Sequence, residues 1–255
     1  MAFLPDRTYA PANVATGEVI DAGLRSYMLR VYNWMSSGLV LTGIVAYGIA
    51  NTSLIDLFYQ RVVTARGVGI QPTLLGYAAI FAPLAFVLVL SFGVNRMSRS
   101  TVQALFWAFA AAMGASLANI FLIYSGASIA RVFFITAATF GAMSLWGYTT
   151  KRDLTGMGSF LMMGLFGIII ASLVNMFVAS SAVQFGISIL GVLIFVGLTA
   201  FDTQRIKNDY QQFAYAEGSD TAAKRSVFDA LQLYLNFINI FMFLLQIFGG
   251  RNNNN

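Results

Sequence analysis

The residues of this chain that could do chemistry are few, because histidine and cysteine are both absent. Their absence removes imidazole bases, thiol nucleophiles, disulfides and the usual zinc ligands. The sequence also has no G-x-S-x-G elbow and no G-x-x-x-x-G-K-[ST] phosphate loop, and no lysine lies between residues 226 and 250 to form a retinal Schiff base. We therefore expect no enzymatic activity and no cofactor.

Asp202 is the acidic residue with the most unusual position. It follows a long uncharged segment and begins a charged one, in the stretch GLTAFDTQRIKND at residues 197–209. One interpretation is an interfacial cap that pairs with Arg205 one turn later, a surface contact of about 0.2 to 1 kcal/mol. The other is a titratable group held in the protein interior. The residue types alone leave both open.

The elements that must position this acid are membrane helices. The chain is 58% hydrophobic and 10% charged, so it is expected to be an all-α integral membrane protein with the lipid bilayer as its surroundings. A helix needs about 20 apolar residues to cross the hydrocarbon layer. Seven segments are long enough, at 29–50, 74–94, 102–123, 129–148, 159–179, 183–201 and 227–248.

Basic residues predict the orientation of the bundle. Eleven of the fifteen Lys and Arg fall on the side of the N-terminus, which the positive-inside rule places in the cytoplasm. Their position in short loops makes nucleic acid an unexpected partner. Most loops are short, so we expect one antiparallel domain at 26–250 with polar tails at 1–25 and 251–255. The N-terminal tail has no cleavable signal pattern, so we expect it to stay on the chain.

Two regions outside the main pattern carry further expectations. The longer connection at 51–73 is predicted to hold a short surface helix around LIDLFYQRVV. The phrases ASLANIF (115–121) and ASLVNMF (171–177) match at five of seven positions, which chance explains at least as well as a repeat in so apolar a chain. Their amides, Asn119 and Asn175, are candidates to line a pore or to bond across helices.

The seventh segment carries a polar stripe. At 100° per residue its polar side chains fall within about a quarter of the circumference. An ionised group at the bilayer centre costs at least about 2.5 to 3.5 kcal/mol, so the stripe is expected to face other helices or water inside the bundle. Its members are Asp229, Gln232, Asn236, Asn239 and Gln246.

The expected antiparallel arrangement brings Asp202 to the depth of the first turns of segment seven. There its carboxylate should meet Asn236 or Asp229. Gln232 and Asn239 are either pore-lining residues or amides that join helices, each pair contributing roughly 0.6 to 2 kcal/mol. The simplest interpretation of Arg96 and Arg99, after segment two, is that they determine the topology and that their side chains extend to the lipid headgroups.

Three stretches together resemble the Bax inhibitor-1 (transmembrane BAX-inhibitor-motif) family, most closely its bacterial members. They are RSYMLRVYNWMSSGLVLTG at 25–43, GYTTKRDLTGMGSFLMMGLFGIIIASLVN at 147–175, and FDTQRIK with ALQLYLNFINIF at 201–207 and 230–241. The resemblance implies a seven-helix bundle in a bacterial inner membrane, with helix seven central. It also implies a pH-sensitive leak of cations, notably Ca²⁺.

The resemblance also assigns site residues. It implies a shared-proton pair of carboxylates on helices six and seven, and an arginine after helix two that closes the pore. Asp202 matches the first carboxylate and is the candidate to bind a cation, and Arg96, with Arg99 as the alternative, matches the arginine. Where many relatives have LYLDFIN this chain has LYLNFIN, so Asn236 replaces the second carboxylate. We expect a weakened or shifted pH response unless Asp229 substitutes.

A second class of function is consistent with the same resemblance. The family's association with cell-death suppression and with protease binding suggests a regulatory protein that binds other membrane proteins. The contact surface would then be the N-terminal tail at 1–25 or the connection at 208–226. Deleting the tail separates the two classes, because a channel should retain ion flux without it.

Overall fold

The computed structural model describes residues 12–64, 67–93, 96–213 and 219–250. Apart from one hairpin the described chain is helical. The long helices are α1 (Ala12–Ala50), α3 (Leu74–Gly93), α4 (Arg99–Leu117), α6 (Gly126–Thr149), α7 (Thr155–Val178), α8 (Ser181–Phe213) and α9 (Ser219–Phe248). Two single-turn helices, α2 (Ile55–Phe58) and α5 (Ile120–Ile123), lie between them.

Six helical regions within the described residues are long and apolar enough to cross a membrane. They are Leu74–Gly93, Arg99–Ile123, Gly126–Thr149, Thr155–Val178, Ser181–Gln212 and Asp220–Phe248. Each contains or closely matches one of the predicted segments. The remaining segment, 29–50, lies in α1, which has 39 residues and is about 58 Å long but is not among the six.

Helix boundaries differ from the prediction at both ends of the α8–α9 connection. The predicted segment ended at Phe201, but α8 continues to Phe213, and α9 already begins at Ser219. Asp202 therefore lies inside a continuous helix rather than at its end. Hydropathy detects where a helix leaves the hydrocarbon, whereas the backbone hydrogen bonds continue as long as the residues tolerate helix. Likewise, part of the predicted 1–25 tail is helical, from Ala12 onward.

The predicted surface helix around LIDLFYQRVV is wrong beyond its first turn. Strand β1 (Tyr59–Thr64) follows α2 directly and pairs antiparallel with β2 (Gly67–Pro72), Tyr59 opposite Pro72. The run YQRVVT is rich in β-branched and aromatic residues, which favour a strand. Tyr59 is buried and donates a hydrogen bond to the carbonyl of Ser116 at 2.8 Å, so the hairpin is fixed to α4.

Helix α9 is the most enclosed of the six candidate spans. In the apolar 18-residue stretch of α9, 56% of the residues are buried, against 11% in that of α7 and 39% in that of α8. It packs against α1, α4, α6 and α8. Tyr234 is fully buried at the contact with α1, where its hydroxyl lies 2.7 Å from Oγ1 of Thr42. The polar stripe of α9 is therefore surrounded by protein along most of its length.

A close crossing sets the position of α8 against α6. A Cβ built on Gly147 would lie 2.2 Å from the backbone oxygen of Ala200, a distance that no side chain tolerates. Small residues at this crossing let the two backbones approach, as in other membrane helix pairs. The approach places the residues after Ala200 directly against α6 and α9.

Candidate functional site

Asp202 lies buried between α8 and α9, with 9% of its surface exposed. Its Oδ2 accepts a hydrogen bond from Nδ2 of Asn236 on α9 at 2.7 Å. Its Oδ1 lies 3.2 Å from Nη2 of Arg205, one turn later on α8. The same guanidinium donates to Oε1 of Gln232, also on α9. The carboxylate is thus neutralised and hydrogen-bonded across two helices.

Both interpretations of Asp202 describe part of this geometry. The pair with Arg205 is present, as the cap interpretation required, and the contact with Asn236 is confirmed, as the interior interpretation required. The pair is half-enclosed rather than a surface contact, because the exposed fractions of the Arg205 and Asp202 side chains are 34% and 12%. Arg205 completes this site, although the sequence predicted it only as the partner of a cap.

The neighbours of Asp202 in FDTQRIK join α8 to other elements. Oγ1 of Thr203 lies 2.9 Å from Oγ of Ser144 on α6. Lys207 donates to the carbonyl of Tyr148, at the end of α6, at 2.8 Å. Sequence reasoning missed these contacts, although the unusual density of polar residues in the motif was a signal for them. The motif therefore holds Asp202 at a fixed rotation between α6 and α9.

Gln204 joins α8 to the α6–α7 connection. Its Oε1 accepts from the backbone N–H of Leu154 at 2.8 Å, and its Nε2 donates to the carbonyl of Arg152 at 2.7 Å. Between them, Asp153 is exposed and accepts a hydrogen bond from the N–H of Thr155 at 2.9 Å. Two hydrogen bonds from Thr155 hold the pKa of Asp153 below its ordinary value; the one from its side chain has the larger effect and the one from its backbone N–H the smaller. These hydrogen bonds fix the backbone of the α6–α7 connection.

Asp229, the second acidic candidate, has its hydrogen-bond donor on α1. The hydroxyl of Tyr27 donates to Oδ2 of Asp229 at 2.6 Å, and both residues are buried. The Tyr27 ring in turn lies 4.8 Å from that of Tyr210 on α8. Asp229 therefore connects α9 to α1, about two turns along α9 from Asn236. Tyr27 was not predicted, although it lies in the RSYMLRVYNW motif.

The two arginines after α3 lie apart from Asp202 in this structure. Arg96 and Arg99 are both exposed, and among the described residues neither forms an ion pair with Asp202. In the described residues, the arginine that the family resemblance expects to close the pore does not pair with Asp202; Arg205 pairs with it instead. The physical reason is local: Arg205 is on the same helix as Asp202, one turn away, and reaches it without any movement of the α3–α4 connection.

The remaining amides of α9 meet the expectation that the stripe faces protein only in part, because Gln246 is exposed although it bonds to α8. Oε1 of Gln246 accepts from Gln184 and Ser188 on α8, at 2.9 and 2.8 Å. Asn239 is half-buried and donates to the carbonyl of Leu235 in its own helix at 2.8 Å. Gln246 thus joins helices at the far end of the stripe from Asp229, whereas Asn239 makes no described bond to another helix.

The two amides of the repeated phrases have unlike surroundings. Asn175 is buried, donates to Gln184 on α8 at 3.3 Å, and accepts from the N–H of Ser180 at 3.1 Å. It therefore stabilises the α7–α8 turn by bonding across helices. Asn119 is half-buried at the break between α4 and α5, and its side chain does not cap α5. The structure does not bring either amide to Asp202.

The chemistry available at this site is that of one carboxylate with two nitrogen donors. Each oxygen of Asp202 already has a nitrogen partner, so a cation that binds there must share the carboxylate with Asn236 and Arg205 or displace one of them. No group of three or more Asp, Glu, His or Cys within the described ranges could hold a metal ion. A bound proton would instead cancel the charge that holds Arg205. The arrangement suits a charge-sensitive contact between two helices.

Comparison with known proteins places this arrangement in a family. The family model described as "Inhibitor of apoptosis-promoting Bax1" matches residues 24–253. The chain belongs to the Bax inhibitor family. A Caulobacter vibrioides protein is 48% identical over 233 residues, 91% of each chain. The inner membrane protein YbhL of Escherichia coli K12 is 46% identical over 231 residues, 90% of this chain and 94% of YbhL.

A third relative, from Rickettsia prowazekii, is 44% identical over 247 residues, 96% of this chain and 98% of that protein. The similarity to other bacterial proteins therefore extends over nearly the whole chain. Together with the apolar helices, it establishes a multi-pass protein of the bacterial inner membrane and a member of the Bax inhibitor family. The matched region includes every candidate site residue described above.

Proposed function

We propose that this protein is a passive, pH-sensitive cation leak channel, with Ca²⁺ as a permeant ion, and that Asp202 controls its cytoplasmic mouth. The observation that carries the proposal is the burial of Asp202 between two membrane helices, where it binds Asn236 and Arg205 at once. A buried charge with partners on two helices is costly to disturb and sensitive to a single proton. No enzymatic step is proposed.

The proposed mechanism starts from a closed state with an ionised Asp202. The carboxylate holds Arg205, and Arg205 and Asp202 together hold the α9 amides of Gln232 and Asn236 against α8. A proton, or a divalent cation competing for the carboxylate, removes the attraction for Arg205. Helices α8 and α9 then separate at this depth, and cations pass along the polar stripe of α9. In this scheme Arg205 has the closing role first assigned to Arg96 or Arg99.

The proposed topology has seven spans, with α1 as the first, α9 at the centre and the N-terminus in the cytoplasm. The packing of α1 against α4, α8 and α9 supports its inclusion in the bundle. The burial of α9 supports its central position. The excess of basic residues near Arg25, Lys151 and Lys207 supports the orientation. Asp202 then lies toward the cytoplasmic end of α8, as the mechanism requires.

Reconstitution tests the proposal. Purified protein in liposomes that contain a Ca²⁺-sensitive dye should admit Ca²⁺ down its gradient, and Arg205→Gln should raise that flux at neutral pH because the closing cation is lost. Arg99→Gln is the matched control, since Arg99 is exposed and pairs with no described acid. Protein-containing liposomes no more permeable than empty ones would overturn the channel. Loss of a membrane-protein partner on deleting residues 1–25, without loss of flux, would indicate an additional regulatory role.

A further inference from the structure

Two adjoining clefts lie between α1 and α6. The first, of about 480 Å³, is lined by Arg25, Tyr32, Ser144 and Tyr148 among others. The second, of about 510 Å³, is lined mainly by apolar residues that include Leu39, Ile44 and Phe133. Met35 and Phe140 line both clefts, so the two meet end to end along the helix pair. Volumes of this size fall in the range of small-molecule sites.

The gap has a simple origin in the packing. Helix α1 packs extensively against α4 and α9, but in the described part of the chain α6 is not among its extensive contacts. Gly43 on α1 and Gly141 on α6 are exposed, and a Cβ added to either would meet nothing within 4 Å. Phe237 of α9 forms part of the floor. The hydroxyl contact between Tyr32 and Ser144 bridges the gap.

The chemistry of the combined cleft changes along its length. The cationic Arg25 lies at one end, the hydroxyls of Tyr32 and Ser144 lie next, and the second cleft is apolar except for Ser36. Along α1, Tyr32 is seven residues and about 10 Å from Arg25, and Ile44 is a further twelve residues and about 18 Å away. The apolar part is thus close to the depth of one leaflet, half of a hydrocarbon core about 30 Å thick.

We propose that this cleft binds a phospholipid of the cytoplasmic leaflet, with its phosphate at Arg25 and one acyl chain between α1 and α6. The order of charge, hydroxyl and apolar surface matches the order of phosphate, ester and chain in such a lipid. A second cation, Lys207, lies 5.3 Å from the ring of Tyr148, a lining residue of the first cleft, although Lys207 itself does not line it. Because α6 is a candidate span, the cleft opens toward lipid. The inference uses the proposed orientation but not the proposed ion flux.

Photo-crosslinking in nanodiscs tests the acyl-chain site. A phosphatidylglycerol with a diazirine in one acyl chain should label peptides around Met35 and Phe140. Gly141→Leu places a side chain in the cleft, at a position where an added Cβ meets nothing within 4 Å, and should lower this labelling about tenfold. Gly167→Leu, the same change on an exposed glycine of α7 whose Cβ also meets nothing within 4 Å, should not. Even labelling around the whole perimeter, or labelling unchanged by Gly141→Leu, would overturn the proposal.

The headgroup is tested by charge removal. Arg25→Gln should lower retention of phosphatidylglycerol on the detergent-purified protein, measured by native mass spectrometry, about fivefold, as expected for one basic group near a headgroup. Arg152→Gln, which changes another exposed arginine outside the cleft, is the control. Should Gly141→Leu alter the fold, Gly43→Leu and Arg25→Gln keep the test independent of it. Equal retention in both arginine variants would overturn the phosphate assignment. Neither readout depends on ion flux.

Discussion

At the scale of single residues, the amide at position 236 determines what Asp202 can do. Asn236 donates a hydrogen bond to the carboxylate at 2.7 Å, so the two groups attract at every pH at which Asp202 is ionised. A second carboxylate at that distance would instead repel the first unless one of them held a proton. With Asn at position 236 instead of Asp, the hydrogen bond between α8 and α9 is kept. The two side chains cannot, however, share a proton as the pair of carboxylates implied by the family resemblance would.

Asn236→Asp should make cation flux more steeply dependent on pH than in the wild type. Two acids at hydrogen-bond distance bind one proton together, and loss of that proton drives them apart. The measurement is dye-reported Ca²⁺ flux in liposomes over a pH series. The exchange variant Asp202→Asn with Asn236→Asp, which has one carboxylate as in the wild type, should lose the added steepness. Identical profiles for wild type and Asn236→Asp would show that this pair does not set the response.

The residue contacts were predictable in part. Matching the depths of two antiparallel helices predicted that Asp202 meets Asn236 or Asp229. The structure has the contact with Asn236, whereas Asp229 bonds to Tyr27 on α1. The contact of Tyr27 with Asp229 was not predictable in this way. These residues are 202 positions apart, and a tyrosine near the start of an apolar helix has many equally suitable partners. The gating role of the site residues stays a prediction.

At the scale of helices, FDTQRIK acts as a junction that fixes the rotation of α8. Its side chains bond to α6, to the α6–α7 connection and to α9. Polar bonds between membrane helices contribute roughly 0.6 to 2 kcal/mol each. Several such bonds within two turns restrict the helix more strongly than apolar contact alone. Breaking one of them should loosen the junction without removing the charge of Asp202.

Gln204→Ala should destabilise the protein by about 1 to 3 kcal/mol, because the buried N–H of Leu154 loses its acceptor. Denaturant-induced unfolding in detergent measures the free energy, and hydrogen exchange of residues 152–155 should rise locally. Gln211→Ala, an exposed glutamine further along α8, is the matched control and should change neither quantity. Equal stability of the two variants would mean that Gln204 does not fix the connection.

Two glycines of α6 make a second test of the helix contacts. Gly147→Ala places a methyl group 2.2 Å from the oxygen of Ala200, so α6 and α8 must move apart at a cost of about 1 to 3 kcal/mol. Gly141→Ala meets open space and should gain up to about 1 kcal/mol from better helix propensity. Thermal unfolding monitored by circular dichroism compares them. The account of the crossing fails if both variants unfold at the same temperature.

Comparing the predicted and observed boundaries of helices and strands shows which of them hydropathy can predict. Every predicted segment lies largely within a helix, because the requirement for about 20 apolar residues is strict. The extension of α8 to Phe213 was missed, since polar residues continue a helix without any hydropathy signal. The hairpin of β1 and β2 was missed because the prediction continued the helix of LIDLF into YQRVV, whose β-branched and aromatic residues favour a strand.

At the scale of the whole molecule, the proposed seven-span topology fixes which loops face the cytoplasm. The absence of cysteine makes single-cysteine variants free of background labelling. A membrane-impermeant maleimide applied outside intact cells should label Ser53→Cys, after α1, and Ser181→Cys, at the start of α8. It should not label Asp153→Cys until the membrane is permeabilised. Protection of Ser53→Cys together with labelling of Asp153→Cys would reverse the orientation.

The most direct test of the central claim is the flux of the intact protein against pH, with and without the charge on Asp202. In liposomes, wild-type Ca²⁺ flux should rise as the pH falls, because protonation of the carboxylate releases Arg205. Asp202→Asn, which is neutral at every pH, should give a high flux that does not change with pH. Asp220→Asn, which removes an exposed acid paired with Lys224, should behave as the wild type. A profile for Asp202→Asn that coincides with the wild type would contradict control by Asp202.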